Sequence, residues 1–117
     1  MNFKYKKNQS REEREKESAQ LRIKYPDKVP VVLEKDPTCK LIELNKTKYL
    51  LPKKSTVNQF QENIKRKAEL PGDSALFLQA RTKYSLAGEK TIEEVYNSYK
   101  DKDGFLYIMY TTELIYG

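Results

Sequence analysis

Between residues 46 and 67 seven cations, Lys46, Lys48, Lys53, Lys54, Lys65, Arg66 and Lys67, stand against one carboxylate, Glu62. A belt of that sign attracts phosphate, an anionic membrane or an acidic peptide, although each lysine taken singly reads as a solvated surface residue. The charge is mostly lysine and lacks the guanidinium forks that grip base edges, so nucleic acid is not the expected partner. The inventory for catalysis is short. The chain has no histidine, which removes Ser-His-Asp and Cys-His pairs and the common Cys/His zinc sites. The one cysteine, Cys39, has no partner for an internal disulfide and no histidine base, and reads as an inert thiol. Four glycines include no G-x-x-x-x-G-K phosphate loop. These absences point to a binding or carrier protein rather than an enzyme, with no metal and no cofactor.

Whatever the belt binds must be presented by one domain, since 117 residues leave room for a single core burying about two-thirds of the unfolded surface. Net charge is +6 and charged residues make up 34%, yet nine Tyr and four Phe argue against a chain disordered throughout. No run approaches the roughly 18 apolar residues of a membrane span, and Met1-Asn2-Phe3-Lys4-Tyr5-Lys6-Lys7 has no apolar stretch to serve as a signal peptide. A cytosolic, soluble product is expected.

Ser10-Arg11-Glu12-Glu13 has the capping-box form and predicts a helix from about Arg11 to Lys24, stopped by Tyr25-Pro26. Its apolar face is thin, limited to Ala19, Leu21, Ile23 and Tyr25, which suits a surface helix. Val29 to Glu34 is β-branched and predicts a first strand; Lys48 to Leu51 predicts a second. Thr56-Val57-Asn58-Gln59 is another capping box, and Val57, Phe60, Ile64 and Ala68 mark one face of a core helix that ends before Leu70-Pro71-Gly72. Ala75 to Leu78 predicts a third strand, and Thr91-Ile92-Glu93-Glu94 opens a short helix to about Tyr99. Phe105 to Tyr110 shows no alternation, as expected of a strand covered on both faces and central in its sheet. The helix from Val57 covers one face, and the N-terminal helical segment is the element available for the other.

A helical arm, then strand, strand, helix, strand, short helix and a central last strand, is the pattern of an α+β ubiquitin-like β-grasp. The expected division is a helical extension over residues 1–26, a four-stranded mixed-sheet β-grasp domain over 27–110 and a flexible tail over 111–117.

With the elements placed, Lys24-Tyr25-Pro26-Asp27-Lys28-Val29-Pro30-Val31, Lys48-Tyr49-Leu50-Leu51-Pro52, Phe105-Leu106-Tyr107-Ile108 and Tyr116-Gly117 together resemble the GABARAP and light-chain family of ubiquitin-like autophagy modifiers. The similarity spans essentially the whole chain, arm included. It implies that Gly117 is activated by an E1-like enzyme with ATP, passed to an E2-like enzyme and joined to the amine of phosphatidylethanolamine. A glycine there leaves its carboxylate open to attack and its backbone able to enter a narrow channel. A cysteine protease that processes and deconjugates the family is a further implied partner. This sequence already ends on the glycine, which implies a mature or a truncated end. Location, by the same resemblance, is cytoplasmic, becoming autophagosomal on lipidation.

The resemblance also implies recognition of receptors and cargo adaptors through short motifs, an aromatic residue followed three positions later by Leu, Ile or Val, added as a strand beside the second strand. Period-two geometry sends Lys48 and Leu50 to one side of that strand and Tyr49 and Leu51 to the other. The implied aromatic pocket is Glu17, Leu21, Pro30, Lys48, Leu50 and Phe105; the implied aliphatic pocket is Tyr49, Leu51, Pro52, Ser55, Phe60 and Asn63. Lys28, Lys46 and Lys48 are expected to draw in acidic residues before the motif. Leu50 and Phe105 also read as plain core. Three departures bear on function: Ser55 and Asn63 stand where the family has apolar side chains, and Gln79 replaces an aromatic, although Phe77 is kept. The first two predict a weaker or altered preference at the aliphatic position, and the third puts membrane tethering in doubt. Alternatives are a ubiquitin-like adaptor that is never conjugated and a basic RNA-binding domain, since Gly104 to Tyr110 partly matches the RRM aromatic strand. Against the latter, Leu106 occupies a Gly/Ala position and seven following residues leave no room for another helix and strand.

Overall fold

A computed structural model of the chain describes residues 2–41, 43–81 and 85–112. Eight elements follow in order: α1 (Lys4–Asn8), α2 (Arg11–Lys24), β1 (Lys28–Lys35), β2 (Lys48–Pro52), α3 (Val57–Lys67), β3 (Phe77–Gln79), α4 (Ile92–Tyr99) and β4 (Leu106–Thr111). The three capping boxes form in full. Ser10, Thr56 and Thr91 each accept the backbone N–H three residues on, and Glu13, Gln59 and Glu94 return the bond to the cap amide. Those reciprocal bonds fix where α2, α3 and α4 begin, which is why their starts are readable from four residues each.

The sheet order is β2-β1-β4-β3. β1 runs antiparallel to β2 and parallel to β4, and β3 closes the far side antiparallel to β4. β4 is thus central and every one of its residues is buried. Alternation along it separates two cores. Leu106, Ile108 and Tyr110 join Val29, Val31 and Leu33 beneath Val57, Phe60 and Ile64 of α3 and Ile92 and Val95 of α4. On the opposite face Phe105, Tyr107, Met109 and Val32 pack with Phe3, Tyr5 and Leu21 from the N-terminal arm. The four-stranded mixed sheet with helices on both sides is the β-grasp arrangement expected. The third strand begins two residues later than its apolar run suggests. Leu76 is buried in the core, but ladder pairing with β4 starts at Phe77 opposite Thr111, and the same pairing carries β4 one residue past Tyr110. Apolarity reports burial; only hydrogen-bonded pairing makes a strand.

The arm docks differently from its apolar pattern. Ile23 is 81% exposed, while Ser18 is fully buried. The Ser18 hydroxyl donates to the Asp103 carbonyl, and Gly104, at φ +92°, leaves it room, because a Cβ there would meet the Ser18 oxygen. Arg14 pairs with Asp103 at 2.5 Å. The same carboxylate accepts the Tyr107 hydroxyl (2.5 Å) and the Phe105 N–H (2.9 Å). Polar contacts therefore anchor α2, where hydropathy marks only a thin stripe. Helix α1, absent from the sequence expectation, is held by Phe3 edge-on to Tyr107 at 5.0 Å and by Glu34, whose carboxylate accepts the Lys4 and Tyr5 amides at 2.8 and 3.0 Å.

Candidate functional site

β2 pairs with β1 along one side, and among the described residues no strand pairs along its other side. An edge of unpaired N–H and C=O groups is a template for another extended segment. The register fixes what each face of that edge offers. Leu51 and Tyr49 stand opposite Val29 and Val31, on the α3 face; Leu50 and Lys48 stand opposite Pro30 and Val32, on the face covered by the arm. An added strand would send residues three positions apart to opposite faces, so its two anchoring side chains would meet the two sets separately.

The six residues of the implied aromatic pocket lie on four segments: Glu17 and Leu21 on α2, Pro30 on β1, Lys48 and Leu50 on β2, and Phe105 just before β4; Leu21 and Phe105 share one apolar cluster and Leu50 stands opposite Pro30. Lys48 Nζ lies 2.6 Å from Glu17 Oε1. A seventh residue, missed by the sequence reading, is already among them. Tyr5 donates its hydroxyl to Glu17 Oε2, stands edge-on to Phe105 with centroids 5.4 Å apart, and carries Lys48 Nζ 5.6 Å from its ring centroid. Burial, then the bond to Glu17, pushes the Tyr5 phenol well above its ordinary range. Burial alone would raise Glu17, but the hydrogen bonds from Lys48 and Tyr5 outweigh it and hold the carboxyl below its usual value. The local signal for Tyr5 was only an aromatic near the chain start; its destination depends on where α1 docks.

On the α3 face Leu51, Pro52, Ser55, Phe60 and Asn63 line one cavity of about 480 Å³. Tyr49, the sixth residue of the implied aliphatic pocket, faces a neighbouring cavity of about 570 Å³ with Lys46 and Lys67 and touches the set through its ring, 5.6 Å edge-on from Phe60. The polar newcomers are bonded within the protein. Ser55 Oγ donates to the Pro52 carbonyl at 2.7 Å, and Asn63 Oδ1 accepts from Arg66 at 2.5 Å.

The cations do not form one patch. Lys48 is tied to Glu17, Lys53 lies 3.9 Å from Glu93 and Lys65 3.6 Å from Glu62. Lys46 and Lys67 instead bracket the Tyr49 ring at 4.7 and 4.5 Å from its centroid. Burial, then the neighbouring Lys46 charge, lowers Lys67. Lys28 is exposed at the start of β1, in a third cavity shared with Pro30, Lys53 and Glu93. Lys28, Lys46 and Lys48 thus string along the β1–β2 margin rather than meeting.

Cys39 is buried, with its sulfur 3.9 Å from the Thr112 hydroxyl. Gln79 is buried opposite Met109 and Phe77 is half-buried. Gly117 lies outside the described residues. Among the described residues no group of His, Cys, Asp and Glu could hold a metal ion, and no helix is long and apolar enough to cross a membrane. The rings of Phe105 and Tyr107, which an RRM-like strand would have to expose to bases, are buried under the arm.

Comparison with known proteins fits this geometry. Residues 13–117 match the family model described as autophagy protein Atg8, ubiquitin like. The whole chain also superposes on the whole of a solved chain, the crystal structure of Trypanosoma brucei ATG8, with a TM-score of 0.91 and 33% identity.

Proposed function

The chain belongs to the Atg8 family of ubiquitin-like autophagy proteins, and on that footing we propose that it is a modifier conjugated through Gly117 to phosphatidylethanolamine that recruits receptors and cargo adaptors by adding their aromatic-x-x-aliphatic motifs to the β2 edge. The observation that carries the binding half is the outer side of β2, along which no strand among the described residues pairs, with the Glu17–Lys48 pair and Phe105 around Tyr5 on one face and the Leu51–Phe60 cavity on the other. Main-chain hydrogen bonds along the edge would set the register of the peptide, and the two faces would choose its side chains. Burying an aliphatic side chain in a fully apolar site contributes about 1.5–3 kcal/mol, the upper bound for this cavity with its polar Ser55 and Asn63. Lys28, Lys46 and Lys48, spread along that margin, would steer acidic flanks toward it and raise the association rate.

The conjugation half is carried by family membership and by the resemblance of Tyr116-Gly117 to the segment that carries the family's conjugated glycine. In it the protein is acted upon: an E1-like enzyme forms the adenylate and then a thioester, an E2-like enzyme receives the thioester, and the lipid amine displaces the thiol. A cysteine protease would cut the resulting amide. The protein would be cytoplasmic until lipidated and on autophagosomal membranes afterwards.

Reconstitution with E1-like and E2-like enzymes, ATP and phosphatidylethanolamine liposomes tests this. A lipid-linked species by mass spectrometry is expected, and it must vanish when Gly117 is deleted. Motif-peptide binding must survive that deletion. If the peptide binds and no lipid product forms with active enzymes, the protein is a ubiquitin-like adaptor that is not conjugated.

A further inference from the structure

The aromatic side of the β2 edge already holds an aromatic side chain, and the protein itself supplies it. The Tyr5 hydroxyl donates to one oxygen of Glu17 while Lys48 binds the other at 2.6 Å. Its ring lies edge-on to Phe105 at 5.4 Å, and Lys48 Nζ stands 5.6 Å from its centroid. It packs on the same cluster as Leu21. Tyr5 thus offers what an incoming aromatic residue would offer: a ring for Phe105 and the Lys48 ammonium, and a donor for the Glu17 carboxylate.

The segment that presents it is lightly built. Five residues are too few for a helix to persist without tertiary support, so α1 exists because its neighbours hold it. Phe3 is buried against Tyr107, Glu34 accepts the Lys4 and Tyr5 amides, and Lys6 pairs with Asp101 at 2.6 Å. Those anchors do not need the Tyr5 side chain, which is itself only half-buried. A ring displaced from Glu17 would leave the contacts of Phe3, Glu34 and Lys6 in place.

We propose that Tyr5 is a resident competitor for the aromatic subsite of the β2 edge, so that a motif peptide binds only by displacing this ring. The proposal rests on the motif-binding reading above. Apparent affinity then scales with the fraction of molecules whose ring is out. For an open form populated at about 10%, removing the ring strengthens binding about tenfold.

The test uses a labelled synthetic peptide containing two Asp, then Trp, then Leu three positions after the Trp, titrated into the wild type, Tyr5→Phe and Tyr5→Ala. Y5A is expected to bind about tenfold more tightly, and Y5F, which keeps the ring and loses the bond to Glu17, to fall between. In the wild type the Tyr5 ring resonances should leave their Phe105-shifted positions as the peptide saturates. Equal affinity for wild type and Y5A, or weaker binding by Y5A, overturns the competition and leaves the motif-binding reading standing. Absence of saturable binding in all three proteins overturns both.

Discussion

Arg14 and Asp103, 89 residues apart, meet at 2.5 Å with the carboxylate side chain wholly inaccessible and the guanidinium side chain only 12% exposed. Burial alone would lower the Arg14 pKa, but hydrogen bonds with Tyr107 and Asp103 raise it, so the guanidinium stays charged. Around this pair the arm is joined to the β-grasp body: Asp103 also accepts the Tyr107 hydroxyl and the Phe105 N–H.

Removing the charge from one side of such a pair leaves the other buried without compensation, which costs about 3–5 kcal/mol. Asp103→Asn is therefore expected to lose about 3 kcal/mol in denaturant unfolding, with α2 amides exchanging faster. A loss below about 1 kcal/mol would mean the pair behaves as a surface one.

Gly104 stands at φ +92°, and a Cβ on it would meet the Ser18 hydroxyl oxygen and approach Arg22 at 3.1 Å. Gly104→Ala should cost about 1–3 kcal/mol through backbone strain and loosen α2 from the body. Gly72, whose Cβ would meet nothing within 4 Å, is the control, and Gly72→Ala should cost far less. Equal unfolding midpoints for the two variants would refute the contact.

Glu17 sets a pH dependence whose sign follows from its lowered pKa. A carboxyl depressed in the folded state contributes stability that is fully present above its unfolded pKa, near 4.5, and is lost as pH falls through the folded value. The wild type should exceed Glu17→Gln in stability above pH 4.5, and the gap should close with acidification below it. Asp101, lowered by its bonds with Lys6 and the Asp103 amide against opposing burial, titrates in the same direction, so the comparison is between the two curves. A gap constant down to pH 2 would contradict this assignment.

Ser55 and Asn63 bring polar atoms to the Leu51–Phe60 cavity. Discrimination of Leu over Ala at the aliphatic position of a bound peptide is expected to fall short of the roughly 1.5–3 kcal/mol of a fully apolar site. The double substitution Ser55→Leu, Asn63→Leu should widen it. Isothermal titration with the two peptides measures this; a full preference in the wild type would show that the internal bonds to Pro52 and Arg66 already mask the polarity.

Short-range chemistry was legible in the sequence. Ser10, Thr56 and Thr91 each marked a helix start because a capping box is complete within four residues, and Phe105 to Tyr110 marked a central strand because unbroken apolarity has few other uses. The two faces of β2 followed from period two alone. Those features, with the shared segments from Lys24 to Gly117, were enough for the fold and the family. Tertiary structure decided what joins the elements. Ile23 belonged to the thin apolar face of α2 and is solvent-exposed, while Ser18 is buried, because α2 docks through Arg14 and Ser18 onto Asp103 and, of that face, through Leu21. Tyr49, grouped with Leu51 and Phe60, packs with them and also faces Lys46 and Lys67, a second set of neighbours that the face of a strand does not specify. Tyr5 came to lie among Glu17, Lys48 and Phe105 because five residues of α1 take their place from Glu34 and Tyr107, partners about 30 and 100 positions away. Local sequence specifies backbone geometry within a turn or two; which distant side chains then share a site depends on how the whole chain packs, and no window along it contains that information.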